Sequence, residues 1–198
     1  LRIPRLLGSV AFGVSREFSP QPTSGRAPLK VNIIQLIEHM AQAKARRLSD
    51  TDLKAAEKAF VTALWASYTL EATPHDLISS ARGDITSAVT ALMSDRKRYG
   101  ESKWASLQAA EKTMKAAIGL QGGQFPFTHD LRQLALALDR VGVALNAPEL
   151  LSVIQCTPGI RYGEEPCSQI DALAAHSASL TLVNRLRAAG ARFNPGLG

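Results

Sequence analysis

The sequence predicts an all-α protein, an up-and-down antiparallel helical bundle with an N-terminal helical extension. Three observations point there. Apolar residues recur at helical spacing over most of the chain. Strict alternation with β-branched enrichment is missing, apart from SVAFGV near the start. Glycines, prolines and capping residues then divide the periodic stretches by short breaks, which makes consecutive helices antiparallel neighbours.

Residues 1–30 read as a basic arm that ends in a linker, PQPTSGRAP, with Pro20, Pro22, Pro28 and Gly25. Residues 31–72 read as a helical pair. Ile33, Ile34, Ile37, Met40, Ala41 and Ala45 predict an amphipathic helix over 31–48. Ser49-Asp50-Thr51-Asp52 is a capping cluster before a second helix over 52–71, whose stripe is Leu53, Ala56, Phe60, Ala63, Leu64 and Ser67.

Residues 73–190 form the bundle proper. Thr73-Pro74 predicts a cap with proline at the first helical position. Helices are expected at 74–98, 101–120, 128–145, 147–156 and 166–189, broken at Gly100, Gly122-Gly123, Asn146-Ala147-Pro148 and TPGIRYGEEP. The clearest is 128–145, where Leu131, Leu134, Ala135, Leu138, Val141 and Leu145 share one face. The triplet HDL occurs at 75–77 and 129–131, each time at an expected helix start, where threonine caps and aspartate offsets the helix dipole.

Composition bounds the function. The chain has 198 residues, 45% apolar and 20% charged, enough for one good core and ordinary for a soluble domain. No apolar run reaches the ~18 residues of a membrane span. Two cysteines, Cys156 and Cys167, argue for a reducing compartment, the cytoplasm, and for two unrelated thiols rather than a disulfide or metal site. The net charge of +6 is concentrated: residues 1–48 hold eight basic and two acidic residues, residues 49–198 fifteen of each. A basic arm of that kind suits a packed or docking segment, or an organellar leader.

Candidate chemistry is sparse. Gly122-Gly123-Gln124 spells the tripeptide of peptide-release factors, but it follows a helix as glycine normally does and lacks a basic loop. His129 and Asp130 are adjacent, and neighbours on a helix point about 100° apart, so Asp130 cannot orient its neighbour's ring. His129 is either a structural residue or a polar contact for a ligand. Lys112 and Lys115, three apart on a helix, share a face, and Arg161-Tyr162 offers a guanidinium and a ring in a glycine-flanked loop. For each, a solvated face or ordinary loop contact is the plainer reading. No phosphate-binding loop, dinucleotide fingerprint, nucleophile elbow or zinc-protease motif occurs. No cofactor or metal is expected.

Taken together, SARGDITSAVTAL, a helix with Trp104 leading into AEKTMKAAI, then FPFTHDLRQLA and Arg161-Tyr162, resemble the HEPN family (higher eukaryotes and prokaryotes nucleotide-binding) over about residues 74–188. The resemblance implies a helical bundle that commonly dimerises, binds nucleotide or RNA, or pairs with a nucleotidyltransferase-like protein in toxin–antitoxin systems. Ribonuclease members of that family carry arginine, four to six residues, then histidine. None of the permitted positions before His39, His75, His129 or His176 is arginine. The expectation is therefore a non-catalytic nucleotide- or RNA-binding domain, with Lys112, Lys115, His129, Arg161 and Tyr162 as contacts. A protein-interaction or dimerisation module without ligand is the alternative. A ribonuclease pairing His129 with Arg161 is the third.

Overall fold

The computed structural model describes residues 10–19 and 29–193. The basic arm's Arg2, Arg5 and Arg26, and the prolines of its linker, lie outside the described residues. Among the described residues the architecture is all-α apart from one small pair of strands. Contacts divide the chain into two units, between Leu64 and Trp65.

In the first unit, β1 (Val10–Gly13) pairs in parallel with β2 (Leu29–Asn32), Val10 opposite Leu29. The strand reading of SVAFGV holds. The expected helix over 31–48 does not form. After β2 come a single 3₁₀ turn, Ile33–Leu36, and a short helix α1, Gln42–Ala45. Three side-chain amides explain the difference. Asn32 caps the turn at Ile34 N–H (3.1 Å) and donates to the carbonyls of Ser15 (2.9 Å) and Glu17 (3.1 Å). Gln35 and Gln42 likewise hold the backbone of Ser19 and of Arg16 and Phe18. His39 sits at φ 57°, in the left-handed region, which breaks any continuous helix. Ile33, Ile34 and Ala45 are still buried, so the periodicity marked the inside without marking a helix.

Helix α2 (Asp50–Glu71) starts where its capping cluster predicts. Ser49 Oγ accepts from Asp52 N–H (3.1 Å) and Asp52 Oδ2 from Ser49 N–H (2.8 Å), a reciprocal cap. Phe60 is buried and meets Phe12 with ring centroids 4.8 Å apart.

The second unit holds α3 (Asp76–Leu92), α4 (Tyr99–Leu120), α5 (Leu131–Arg140), α6 (Pro148–Ile154), α7 (Gly159–Tyr162) and α8 (Gln169–Ala188). Helix α4 is central: it packs on α3, α5, α6, α7 and α8. Small residues make those approaches possible, since Ser102, Ser106, Ala109, Ala110, Ala116 and Ala117 are all buried on it. Leu107, Met114 and Ile118 supply its apolar bulk, against Leu131, Leu134 and Leu138 of α5 and Leu182 and Leu186 of α8 within one core cluster.

Helix α8 begins at Gln169 rather than 166, capped by Ser168, and the starts of α3 and α5 also differ from expectation. Thr73 does not cap α3; its hydroxyl faces the carbonyls of Thr69 (2.7 Å) and Phe193, and the cap is His75, whose Nδ1 accepts from Leu77 N–H (3.1 Å). Helix α5 begins at Leu131 rather than 128, because Asp130 caps it at Arg132 N–H (2.8 Å) while Thr128 holds the Asp130 N–H (3.0 Å). It also ends early, at Arg140, before Gly142 at φ 83°. The glycine stop after α4 is as expected, with Gly122 at φ 79°. Gly123 is required by space: a Cβ there would lie 2.4 Å from Val141 Cγ1.

Inside α8, burial pushes the His176 imidazole down to about 4, and its Nδ1 is buried with no hydrogen-bond partner among the described residues. A histidine whose folded pKa is depressed stabilises the fold fully above its unfolded pKa near 6.5 and loses that contribution as pH falls toward 4. Chemical denaturation of wild type should therefore lose up to about 3 kcal/mol across that window. His176→Leu should flatten the same pH profile.

Candidate functional site

The second unit contains a cleft of about 460 Å³ between α3, α4 and α7. This is within the usual size for a small-molecule site, roughly 300–1,000 Å³. Helix α3 contributes Asp84 and the hydroxyls of Thr86, Ser87 and Thr90; Arg98 stands just before α4, which contributes Glu101, Trp104 and Gln108; α7 contributes Arg161. Thr90 lies four residues from Thr86 and three from Ser87, so it neighbours both on the helix surface. Thr86, Ser87 and Thr90 each donate to the carbonyl four residues back, which leaves their oxygens as acceptors toward the cleft.

Gly100 sets the position of Arg161. A Cβ on Gly100 would lie 2.0 Å from the Ile160 carbonyl oxygen, so the first turn of α4 and the single turn of α7 touch backbone to backbone. Only glycine permits that approach. The sequence had placed Arg161-Tyr162 in a loop; they occupy this helical turn, with the Arg161 guanidinium 5.6 Å from the Tyr162 ring centroid.

Charges in the cleft are mostly paired. Arg98 holds Glu101 through Nε and Nη2, and that guanidinium keeps the Glu101 carboxyl below the usual carboxylate range, with a smaller contribution from Arg161. Asp84 is paired with Lys112. Among the described residues, Arg161 is the one cation lining the cleft without a carboxylate at ion-pair distance. Beside it, the turn between α3 and α4 exposes Arg96, Lys97 and Arg98 in succession.

Next to the cleft lies a second cluster, built on Glu111. This carboxylate sits on the inner side of α4 with its side chain 6% exposed. Lys115 Nζ donates to Oε1 at 2.7 Å, His129 Nδ1 lies 2.7 Å from Oε2, and Gln108 Nε2 reaches Oε2 at 3.4 Å. The His129 side chain is 65% exposed, and its ring centroid is 6.1 Å from that of Trp104. Lys115 is nearly buried and lies 5.8 Å over the Phe125 ring.

The five residues singled out from sequence therefore fall into two groups. Arg161 and Tyr162 stand together on α7, Arg161 on the cleft wall. Lys115 and His129 meet on Glu111, and Lys112 joins the cleft through Asp84. Sequence reasoning missed Glu111 as the group that orients His129; it lies eighteen residues upstream, and its only signal was an acid at a position of α4 that faces inward. The basic turn Asp95-Arg96-Lys97-Arg98 and the spacing of Thr86, Ser87 and Thr90 were legible signals that the reading passed over.

Both cysteines are free thiols, and burial pushes Cys156 up to about 11, so it stays protonated at neutral pH. Among the described residues no three of His, Cys, Asp and Glu stand together as metal ligands, and no helix is long and apolar enough to cross a membrane.

Residues 74–156 match the HEPN domain. No curated protein and no solved structure matches the chain. The HEPN match spans α3 to α6 and includes Lys112, Lys115 and His129, whereas Arg161 and Tyr162 lie beyond its end. A HEPN domain assigns this segment a nucleotide- or RNA-related function in general terms.

Two substitutions test how the cleft and the Glu111 cluster are held. Removing one member of a buried ion pair strands the other charge. Lys115→Met should cost roughly 3 kcal/mol in urea denaturation, and Glu111→Leu with Lys115→Met should recover most of it. Gly100→Ala should cost about 1–3 kcal/mol by overpacking α4 against α7, and hydrogen exchange should speed up at Ile160 to Tyr162 before the rest of the bundle.

Proposed function

We propose that the cleft between α3, α4 and α7 binds a nucleotide, or one nucleotide unit of a single-stranded RNA, without cleaving it. The observation that carries this reading is an unpaired guanidinium, Arg161, lining the same cleft as Trp104 and the hydroxyls of Thr86, Ser87 and Thr90. A guanidinium takes phosphate through planar, paired hydrogen bonds, and an indole face stacks on any base. Tyr162 extends the stacking surface, and His129 adds a polar contact beside Trp104. Lys112 and Lys115 act at one remove, cancelling the charges of Asp84 and Glu111 that would otherwise repel a phosphate.

Binding without cleavage rests on the missing arginine ahead of every histidine. Homodimerisation, and action beside a nucleotidyltransferase-like partner in a toxin–antitoxin type of system, belong to the same reading and rest on the family resemblance. A protein-interaction role is favoured by one observation: Leu136, 59% exposed, lies on a shallow groove with Phe125, Pro126 and Val141.

The test is fluorescence anisotropy of a labelled adenine nucleotide and a short single-stranded RNA across a salt series. Binding should weaken with salt, and Arg161→Ala should weaken it about tenfold, in line with loss of a charge-assisted hydrogen bond. The RNA should stay intact. Absence of binding at tens of micromolar protein overturns the ligand site and leaves the interaction role; RNA fragments that vanish in His129→Ala overturn the non-catalytic assignment.

A further inference from the structure

We propose that His129 reads a hydrogen-bond donor on the bound nucleotide, through a bare Nε2 that Glu111 secures by keeping the ring proton on Nδ1. The inference rests on the ligand site proposed above and specifies what its second polar contact recognises.

The argument begins with proton counting. Glu111 is paired as a carboxylate with the Lys115 ammonium at 2.7 Å, and a carboxylate only accepts hydrogen bonds. The hydrogen between Glu111 Oε2 and His129 Nδ1, 2.7 Å apart, therefore belongs to the ring. A neutral imidazole carrying its proton on Nδ1 has a lone pair on Nε2. Among the described residues Nε2 has no partner, and the side chain is largely exposed beside Trp104.

The ring is also held in place. The Gln155 amide donates to the His129 carbonyl (3.3 Å) and accepts from Leu131 N–H (3.0 Å), which clamps the turn carrying the imidazole to the end of α6. With the backbone clamped and Nδ1 anchored, little ordering is left to occur on binding.

An Nε2 lone pair cannot pair with a phosphate, which presents only acceptors. It suits a hydroxyl or an amino group. The site thus divides its labour: Arg161 takes the anion, Trp104 the ring face, and His129 a donor. Two kinds of donor on an adenine nucleotide are eligible, the two ribose hydroxyls and the exocyclic amine. In either case Glu111 is a positioning residue, acting through the tautomer that it selects.

The experiment combines a spectrum with an analogue panel. Histidine-selective ¹⁵N NMR of the ligand-free protein, at a pH where the spectrum itself reports a neutral ring, should show His129 protonated on Nδ1. Wild-type protein is then titrated with adenosine monophosphate, its 2′-deoxy and 3′-deoxy forms, and the purine analogue that lacks the amine. One of these should bind roughly three- to tenfold more weakly than the parent, the loss of one net hydrogen bond, and which one does so identifies the donor. His129→Ala should abolish that difference. Glu111→Gln, whose amide can either donate or accept, should populate the other tautomer and shrink the difference while overall binding through Arg161 persists.

A ring protonated on Nε2 overturns the proposal, as does equal binding of every analogue to wild type while the parent binds. If no nucleotide binds at all, the ligand site falls and takes the donor reading with it. The spectrum still reports separately whether Glu111 sets the tautomer.

Discussion

A carboxylate on the inner side of the central helix is the constraint around which the second unit is arranged. Glu111 occupies a position of α4 that would ordinarily carry an apolar residue. Out of water, its charge has to be met by a cation and by hydrogen bonds to both oxygens. Lys115, one turn further on, supplies the first; Gln108, one turn back, and His129 from the turn before α5 supply the rest. Satisfying one buried charge thereby draws an exposed imidazole to the edge of a cleft and gives it a definite orientation.

The cleft itself depends on small residues. Serine and alanine along α4 let neighbouring helices come close, and Gly100 lets α7 press its backbone against the first turn of α4. A one-turn helix has almost no stability of its own. Its place, and that of Arg161, is set by that contact and by the buried Ile160. Arginine 161 remains without a carboxylate partner while Arg98 and Lys112 nearby are both paired. An unpaired cation beside an aromatic ring is electrostatically ready for an anion, because no internal ion pair must be broken first.

The first unit follows a different logic. Its strand, turn and short helix are joined by the side-chain amides of Asn32, Gln35 and Gln42, each of which both donates to and accepts from the backbone of residues 15–19. Such amides imitate a missing strand partner, and they impose irregular structure where hydrophobic spacing alone would allow a helix.

By itself the sequence determined the helical class, the family resemblance, the start of α2 and the glycine stop after α4. These depend on local periodicity and on caps formed within four residues, as in the reciprocal pair Ser49 with Asp52. Only the tertiary structure decided what lay between distant partners. Thr73 gave up its capping role to face the Phe193 carbonyl, 31–48 was held open by residues 15–19, and Glu111 rather than the adjacent Asp130 took hold of His129. In each case a polar group found a partner that lay far away along the chain, which no local spacing records.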